Sequence, residues 1–506
     1  MAGASRHLHQ RRRACAGPVQ FSWPGQCRPV GQARAGKWSV QLRSRRRPIV
    51  SAARHWSPVH QEGVVVPHDD VAELRRTAIL HVDMDMFFVA VELLEHPELV
   101  GRPVIVAAQS NRSVVLSASY EARAFGVRSG MPLARARAMC PQGTVLTPHY
   151  KVYPKYSATI MGIFHEVTDR VEQISVDEAF LDVSGAIRRL GSPLEIARRL
   201  RVRIREATGL TASVGIGATK TIAKIASTRA KPDGLLMVNH RDTVAFLAEL
   251  PVGALWGVGA KTAQTLQAAG LRHVGDLAAQ TPASLARLVG PAAGAHLHAL
   301  ANGHDPRAVT PVREEKSLGA EGTFEEDVTD VGRIRRELLS LSHRTAARLR
   351  SNGLRAKRVG LKLRWADFTT ISRSRTVAQP FSSGHDLYTH ALDLLKQETP
   401  LPAPVRLIGV RAEHLESGDT AMQLSLDGRE EDWAAVESAM DRARRRFGDV
   451  GLGPASMLGH RGTGHRREGE QNLRPGAAGG GDPQGNWEPG SRNRPEPGVP
   501  RGGHGG

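Results

Sequence analysis

The sequence predicts a multidomain α+β protein, and three observations carry that prediction. Short apolar strands and amphipathic helices mix along the chain without the regular strand-helix alternation of a doubly wound sheet. At 506 residues the chain is longer than one compact core supports, so several domains are expected. Between Leu250 and Gly303 its character turns to short Ala- and Leu-rich helices punctuated by glycine, and a second mixed unit follows.

The first 70 residues are rich in Arg, Gly, Pro and Ser and lack periodicity, so they read as disordered. Residues 1–60 hold twelve Lys or Arg and no Asp or Glu. Such a leader either adds nonspecific affinity for nucleic acid or is not translated at all. Ile79 to Asp83 then reads as a buried strand, and Val89 to Leu94 begins a helix. Pro103 to Ala107 and Val114 to Ser117 are apolar strands separated by the polar turn SNRS. Ala158 to Val167 has helical spacing, Ile174 to Val183 contains a strand hairpin, and Leu194 to Ala207 places apolar residues on one helical stripe with arginines opposite.

After the helical unit and the linker Thr310 to Arg313, a basic helix is expected over Ile334 to Leu349, strands at Val359 to Arg364 and ISRSRTV, a helix near Leu387 to Lys396, and a strand from Val405 to Val410. A last helix spans Trp433 to Phe447. Residues 459–506, with GAAGGGDPQG and PEPGVPRGGHGG, are low-complexity and read as a disordered tail.

Net charge is +19, concentrated in the leader and in residues 333–375, where thirteen Lys or Arg stand against Glu337 and Asp367 alone. A local positive face of that kind suits a phosphate backbone. Cys15, Cys27 and Cys140 have neither zinc spacing nor an even disulfide framework, which fits a reducing compartment, the cytoplasm by default. No run approaches the roughly 18 apolar residues of a membrane span, and no secretory leader is evident.

The chemistry centres on HVDMDMFFVAVE, His81 to Glu92. If the strand persists, Asp83 and Asp85 point to one face. A second acidic cluster, SVDEAFLD, brings Asp177 and Glu178. Converging carboxylates repel unless cations lie between them, and hard oxygen ligands suit magnesium. Two such ions about 3.5–4 Å apart activate a hydroxyl and neutralise a departing pyrophosphate. Taken alone, a DxD pair is more often two solvated acids at a strand end. SASYEARAFGVRSGMP adds Tyr120 and Arg123, and AKIASTRAKPDG adds Lys231 before a Pro-Asp-Gly turn; Arg and Lys fit a triphosphate, although each alone is more often a surface cation.

Together, in this order and spacing, HVDMDMFFVAVE, SASYEARAFGVRSGMP, SVDEAFLD and KIASTRAKPDG resemble the Y-family translesion DNA polymerases, bacterial DNA polymerase IV in particular, over about Ala78 to Asp427. The resemblance implies a right-hand polymerase of palm, fingers and thumb with an α+β little-finger domain. The palm would comprise 76–88 and 149–240, the fingers 89–148, the thumb 241–306 and the little finger 313–421. A clamp-binding-like peptide and C-terminal helix would fill 422–458.

It further implies that Asp83, Asp177 and Glu178, with the carbonyl of Met84, hold two magnesium ions and form the catalytic centre. Asp85 fits the pattern without being a main ligand. Tyr120, Arg123 and Lys231 would contact the triphosphate, with Ser117 as a further candidate. Phe88 falls at the steric gate, an aromatic beneath the sugar that clashes with a 2′-hydroxyl. Phe87 is expected in the core, on the view that neighbouring strand-end residues face opposite ways. The chain departs from the family at Ala124, where a second basic residue is common, and at Phe180, where tyrosine is commoner.

In the helical unit, LPVGALWGVGAKTAQTLQAAGL resembles a helix-hairpin-helix. There Gly257 and Gly259, with Lys261, would bring backbone N–H groups to a DNA phosphate. Arg373 and Arg375 alternate with Ser372 and Ser374, so one strand face could track phosphates; a solvated charged strand is the alternative. MQLSLD resembles a peptide that docks on the sliding clamp through Gln423, Leu424 and Leu426, although here it is internal, and an ordinary edge strand fits it too. The partners implied are primer-template DNA, deoxynucleoside triphosphates and the clamp, with no membrane, and we read the chain as a monomer.

Two other classes compete. HVDMD suits a haloacid-dehalogenase-type phosphatase, but that reading leaves the hairpin, the basic unit and Phe88 unexplained. VGIGATKT fails as a P-loop because Thr219, not glycine, precedes Lys220. A non-catalytic DNA-repair scaffold of the same family is the stronger rival, and such scaffolds lose the acidic ligands retained here.

Overall fold

A computed structural model of the chain describes residues 76–312, 314–418 and 429–447. The Arg-rich leader, the low-complexity tail and the peptide containing Gln423, Leu424 and Leu426 lie outside the described residues. In chain order the strands are β1 (Ile79–Met84), β2 (Val104–Ala107), β3 (Val115–Ala118), β4 (Thr144–Leu146), β5 (Val171–Gln173) and β6 (Glu178–Asp182). There follow β7 (Ala212–Gly217), β8 (Leu235–Met237), β9 (Ser317–Val328), β10 (Leu354–Trp365), β11 (Thr370–Phe381) and β12 (Val405–Ser417).

The first sheet has the order β5-β6-β1-β7-β8 and is antiparallel except for β7 with β8. Its middle strand, β1, is covered on both faces. Leu80, Val82 and Met84 alternate into a core shared with Phe87, Tyr153, Ile160, Phe164 and Leu200. Burying each such side chain is worth about 1.5–3 kcal/mol. His81 and Asp83, on the opposite face by the two-residue period, look toward the helix Lys220–Ala230.

That helix lies directly on β7. A Cβ at Gly215 would stand 2.0 Å from the carbonyl oxygen of Ala223, so VGIG serves close helix-strand packing. The helix Pro193–Thr208 opens with a capping box: Ser192 Oγ accepts from the Glu195 amide at 3.3 Å, and Glu195 Oε2 accepts from the Ser192 amide at 2.7 Å.

A three-stranded sheet, β3-β2-β4, follows β1 in sequence. The stretch from Leu250 to Gly303 is all helical, built on Leu266, Val274, Leu277, Leu285 and Leu300. The last sheet, β11-β10-β12-β9, packs one face on the helices Val331–Ser351 and Gly384–Lys396. The closing helix, Arg429–Phe447, docks on these helices. Its buried Glu437 accepts from the Gly384 amide at 2.8 Å and from Arg350 Nη1.

The α+β class holds throughout, and the differences from the sequence expectations are of the extent of some elements and the presence of others. The hairpin expected over Ile174 to Val183 pairs β5 and β6 across a turn at 174–177. β10 and β12 run to 12 and 13 residues, longer than their apolar cores. β4, β7, β8 and β9 have no counterpart in the sequence expectations: β4 and β8 span three residues each, glycines interrupt β7, and charged residues crowd β9.

Candidate active site

Asp83 and Glu178 are direct partners in the antiparallel register of β1 and β6. The Met84 amide donates to the Asp177 carbonyl at 3.0 Å, which carries the second acid to the end of β1. Like charges facing across a sheet are unfavourable, and two lysines offset them. Lys231 Nζ donates to Asp83 Oδ1 at 2.6 Å and to the Met84 carbonyl at 3.0 Å. Lys224 Nζ meets Glu178 Oε2 at 2.5 Å.

The adjacent acids Asp177, in the turn before β6, and Glu178, which opens it, are tuned in opposite directions. Burial pushes the Asp177 carboxyl up to about 6, the negative charges of Asp83 and Glu178 add to the rise, and a hydrogen bond from Ser175 Oγ opposes it. Burial also pushes Glu178 up, but the Lys224 ammonium hydrogen-bonded to its Oε2 outweighs this and holds the group below the usual carboxylate range.

His81 is fully buried, and burial lowers its pKa. Ser227 Oγ donates to the Lys224 carbonyl at 2.9 Å, so it accepts from His81 Nδ1 at 2.7 Å. That leaves Nε2 as the acceptor facing Lys224 Nζ at 3.3 Å. Sequence reasoning missed His81, Lys224 and Ser227. The signal available was the seven-residue spacing of Lys224 and Lys231 along one helical approach.

Asp85 departs from the expectation that it shares a face with Asp83. The strand ends at Met84, and Met86 turns the chain with φ +41°. Asp85 is buried and accepts four hydrogen bonds: from Tyr120 Oη at 3.0 Å, Thr211 Oγ1 at 2.9 Å, Ser213 Oγ at 2.9 Å and the Asp233 amide at 2.8 Å. It is a structural junction, and its lone pairs are spent. Tyr120 is thereby tied to the acidic centre. Burial raises its pKa well above the ordinary phenol range, and Asp85 adds to the rise.

Arg123 lies over the Tyr120 ring at 4.9 Å and donates through Nε to the Ala118 carbonyl at 2.9 Å. Ser117 is buried on β3 opposite Val106. Lys231, Asp83, Met84, Asp177 and Glu178 thus converge, Tyr120 joins through Asp85, and Arg123 joins through Tyr120.

Phe87 and Phe88 open the helix Phe87–Glu95 instead of ending a strand. Phe87 is buried in the core as expected, but its divergence from Phe88 comes from the helical turn between them, not from strand alternation. Phe88 is half-buried, with its ring centroid 4.8 Å from that of Tyr153 at 82°. Phe180 is fully buried, its ring 4.5 Å from His81 and 5.6 Å from Trp256.

Gly257 has φ +99° and is exposed, Gly259 is the N-cap of the helix Ala260–Ala268, and Lys261 is exposed in its first turn. In the last sheet, Arg373 and Arg375 pair in register with Leu361 and Val359, on the face covered by helices. They form ion pairs with Glu398 at 2.6 Å and Asp393 at 3.4 Å. The uncovered face carries Arg358, Lys362 and Arg411 around Gly360 and Gly409, with Ser372 and Ser374 beside them, over a shallow cavity of about 370 Å³. The two-residue alternation of KRVGLKLR holds the signal for Arg358 and Lys362.

Comparison with known proteins identifies the family. The impB/mucB/samB family model matches residues 82–228, and the model of that family's C-terminal domain matches residues 315–426. A DNA polymerase IV from Desulfatibacillum aliphaticivorans is 40% identical over 383 residues, covering 75% of this chain and 96% of that protein. Another, from Halorhodospira halophila, is 44% identical over 339 residues, covering 67% of this chain and 95% of that protein. Among solved structures, a Y-family DNA polymerase chimera superposes with TM-score 0.60 at 26% identity, covering 66% of this chain and 98% of its own. An insertion ternary complex of Dbh DNA polymerase has TM-score 0.50 at 27% identity, with the same coverage. With identity of that order over nearly the whole length of such relatives, the chain belongs to the DNA polymerase IV group of the Y-family DNA polymerases.

Proposed function

We propose that this protein is a DNA-directed DNA polymerase that extends a primer 3′-hydroxyl with deoxynucleotides, copying past damaged template bases. The observation that carries the reading is the placement of Asp83 opposite Glu178 with Asp177 hydrogen-bonded to the next residue of β1. A non-catalytic scaffold has no use for three acids held together at a cost in repulsion, and the relatives named above are polymerases.

The donor set fits magnesium. It consists only of oxygens, three carboxylates and the Met84 carbonyl, and the Lys231 ammonium between Asp83 and that carbonyl marks the place as attractive to a cation. Among the described residues no group of three or more acidic, histidine or cysteine side chains forms a ready-made cation cage. Magnesium does not need one, since it binds through one or two carboxylates and substrate phosphates. Two bound ions would lower the pKa of the attacking hydroxyl and neutralise charge on the departing pyrophosphate.

The chain's own residues then bind and orient. Lys231 and Arg123 offer cationic donors to the triphosphate, Tyr120 a hydroxyl, and Ser117 lies on the adjoining strand. Phe88 packs beneath the sugar. We assign the five-stranded sheet to the palm, residues 89–148 to the fingers, residues 241–306 to the thumb and the last sheet to the little finger.

In the thumb, Gly257, Gly259 and Lys261 offer a helix N-terminus to a DNA phosphate. In the little finger, the face left open by the helices, with Arg358, Lys362 and Arg411, suits the DNA backbone; Lys362 and Arg411 would exchange their pairings with Glu321 at 2.8 Å and Glu413 at 3.5 Å for phosphate. We keep Gln423, Leu424 and Leu426 as a proposed clamp-docking peptide on sequence grounds. A monomer acting in the cytoplasm completes the proposal. No helix among the described residues is long and apolar enough to cross a membrane.

Primer extension by Asp177→Ala with Glu178→Ala tests the reading. Extension should fall by at least about 10³-fold, of the order lost with a main electrostatic element of a catalytic site. Retained extension would overturn the assignment.

A further inference from the structure

Glu92 is a carboxylate with 2% of its side chain exposed, and the chemistry above does not use it. It lies four residues after Phe88, one helical turn on along the same face. Its Oε1 accepts from the His149 amide at 2.9 Å and from Tyr153 Oη, and its Oε2 accepts from His149 Nδ1 at 2.6 Å. Tyr153 Oη also accepts from the His149 amide at 3.1 Å. Burying a carboxylate is expensive unless its lone pairs are filled. Here three donors fill them, all from the segment 149–153 that precedes the helix Tyr153–Val167.

Hydrophobic packing alone would place a phenylalanine at 153. The hydroxyl has one evident use, to be gripped by Glu92. Tyr153 is fully buried; its ring centroid lies 4.8 Å from that of Phe88 in edge-on geometry and 6.2 Å from that of Phe87, tilted at 55°. Two points therefore hold the ring, the hydroxyl on Glu92 and the body against Phe88. Burial raises the Tyr153 pKa far above the phenol range, and the Glu92 hydrogen bond adds to that rise, so the hydroxyl stays a donor.

We infer that Glu92 is a positioning residue for sugar selection: it anchors Tyr153, and the Tyr153 ring fixes the Phe88 ring at the height where a ribose 2′-hydroxyl collides with it. The inference rests on the reading of Phe88 as the gate. A steric filter depends on the stiffness of the colliding wall, since a ring that can recede by a few tenths of an ångström admits the extra oxygen. Glu92 and Tyr153 thus act on the ribonucleotide through Phe88 and touch no substrate themselves.

The test compares kcat/KM for dCTP and CTP opposite template dG in the full chain, for Glu92→Leu, Tyr153→Phe, Glu92→Gln and Phe88→Ala. Tyr153→Phe keeps the ring and removes one oxygen, so it serves even if Glu92→Leu fails to fold. Both should lower sugar discrimination about tenfold, chiefly through faster CTP insertion, while kcat for dCTP stays within about threefold. Glu92→Gln, whose carbonyl oxygen can accept both Oε1 bonds, should retain most of the discrimination. A purely structural brace would lower dCTP and CTP insertion together. Unchanged discrimination in Tyr153→Phe, with discrimination lost in Phe88→Ala, overturns this inference alone. Unchanged discrimination in Phe88→Ala overturns the gate reading and this inference with it.

Discussion

Lys231 Nζ lies 2.6 Å from Asp83 Oδ1, although 148 residues separate them in the chain. The ammonium offsets the facing acids, and on the proposed function it would move onto the triphosphate. Lys231→Met should raise the KM for deoxynucleotides by about 10–100-fold with a smaller loss in kcat, as for a lost ionic contact of about 1.5–3 kcal/mol. Steady-state kinetics at saturating primer-template measures the split.

Asp177 carries a stability cost that depends on pH. Its folded pKa of about 6 exceeds the ordinary 3.8, so the unfolded state loses its proton first as pH rises. The cost is absent below about pH 3.8, grows between there and about 6, and is fully present at pH 7. In metal-free protein Asp177→Asn should therefore be more stable than the parent by ~3 kcal/mol at pH 7, with the gain vanishing toward pH 4. Denaturant midpoints at the two pH values check the sign.

Asp85 should behave as a structural acid. Asp85→Ala strands Tyr120 Oη, Thr211 Oγ1, Ser213 Oγ and the Asp233 amide. The loss should be about 3 kcal/mol, seen in urea unfolding with or without magnesium. A magnesium ligand would instead show a raised metal requirement and little change in stability.

Arg358, Lys362 and Arg411 should each act as phosphate contacts. Removing one by alanine should weaken primer-template binding and lower the slope of log K against log salt by about 1. Arg373→Ala should change the slope less, because Arg373 lies on the face that the helices cover, where it pairs with Glu398. Fluorescence anisotropy across a salt series distinguishes them.

The sequence by itself determined what is local. The residue types in HVDMDMFF and SVDEAFLD, the helical unit after Leu250 and the mixed architecture were all legible, because motif identity and hydrophobic period are short-range properties. The grouping of Asp83, Asp177, Glu178 and Lys231 followed from the family resemblance.

Tertiary structure decided what each side chain meets. Asp85 shares a motif with Asp83, yet a single left-handed residue at Met86 turns the chain, and Asp85 meets four donors from other segments. Arg373 and Arg375 alternate as expected, but only the packing of Gly384–Lys396 onto the sheet fixes which face is covered. Glu92 reads as one more polar position on an amphipathic helix until residues 149–153 close over it. Each outcome depends on contacts between segments far apart in the chain, and local propensity carries no record of those partners.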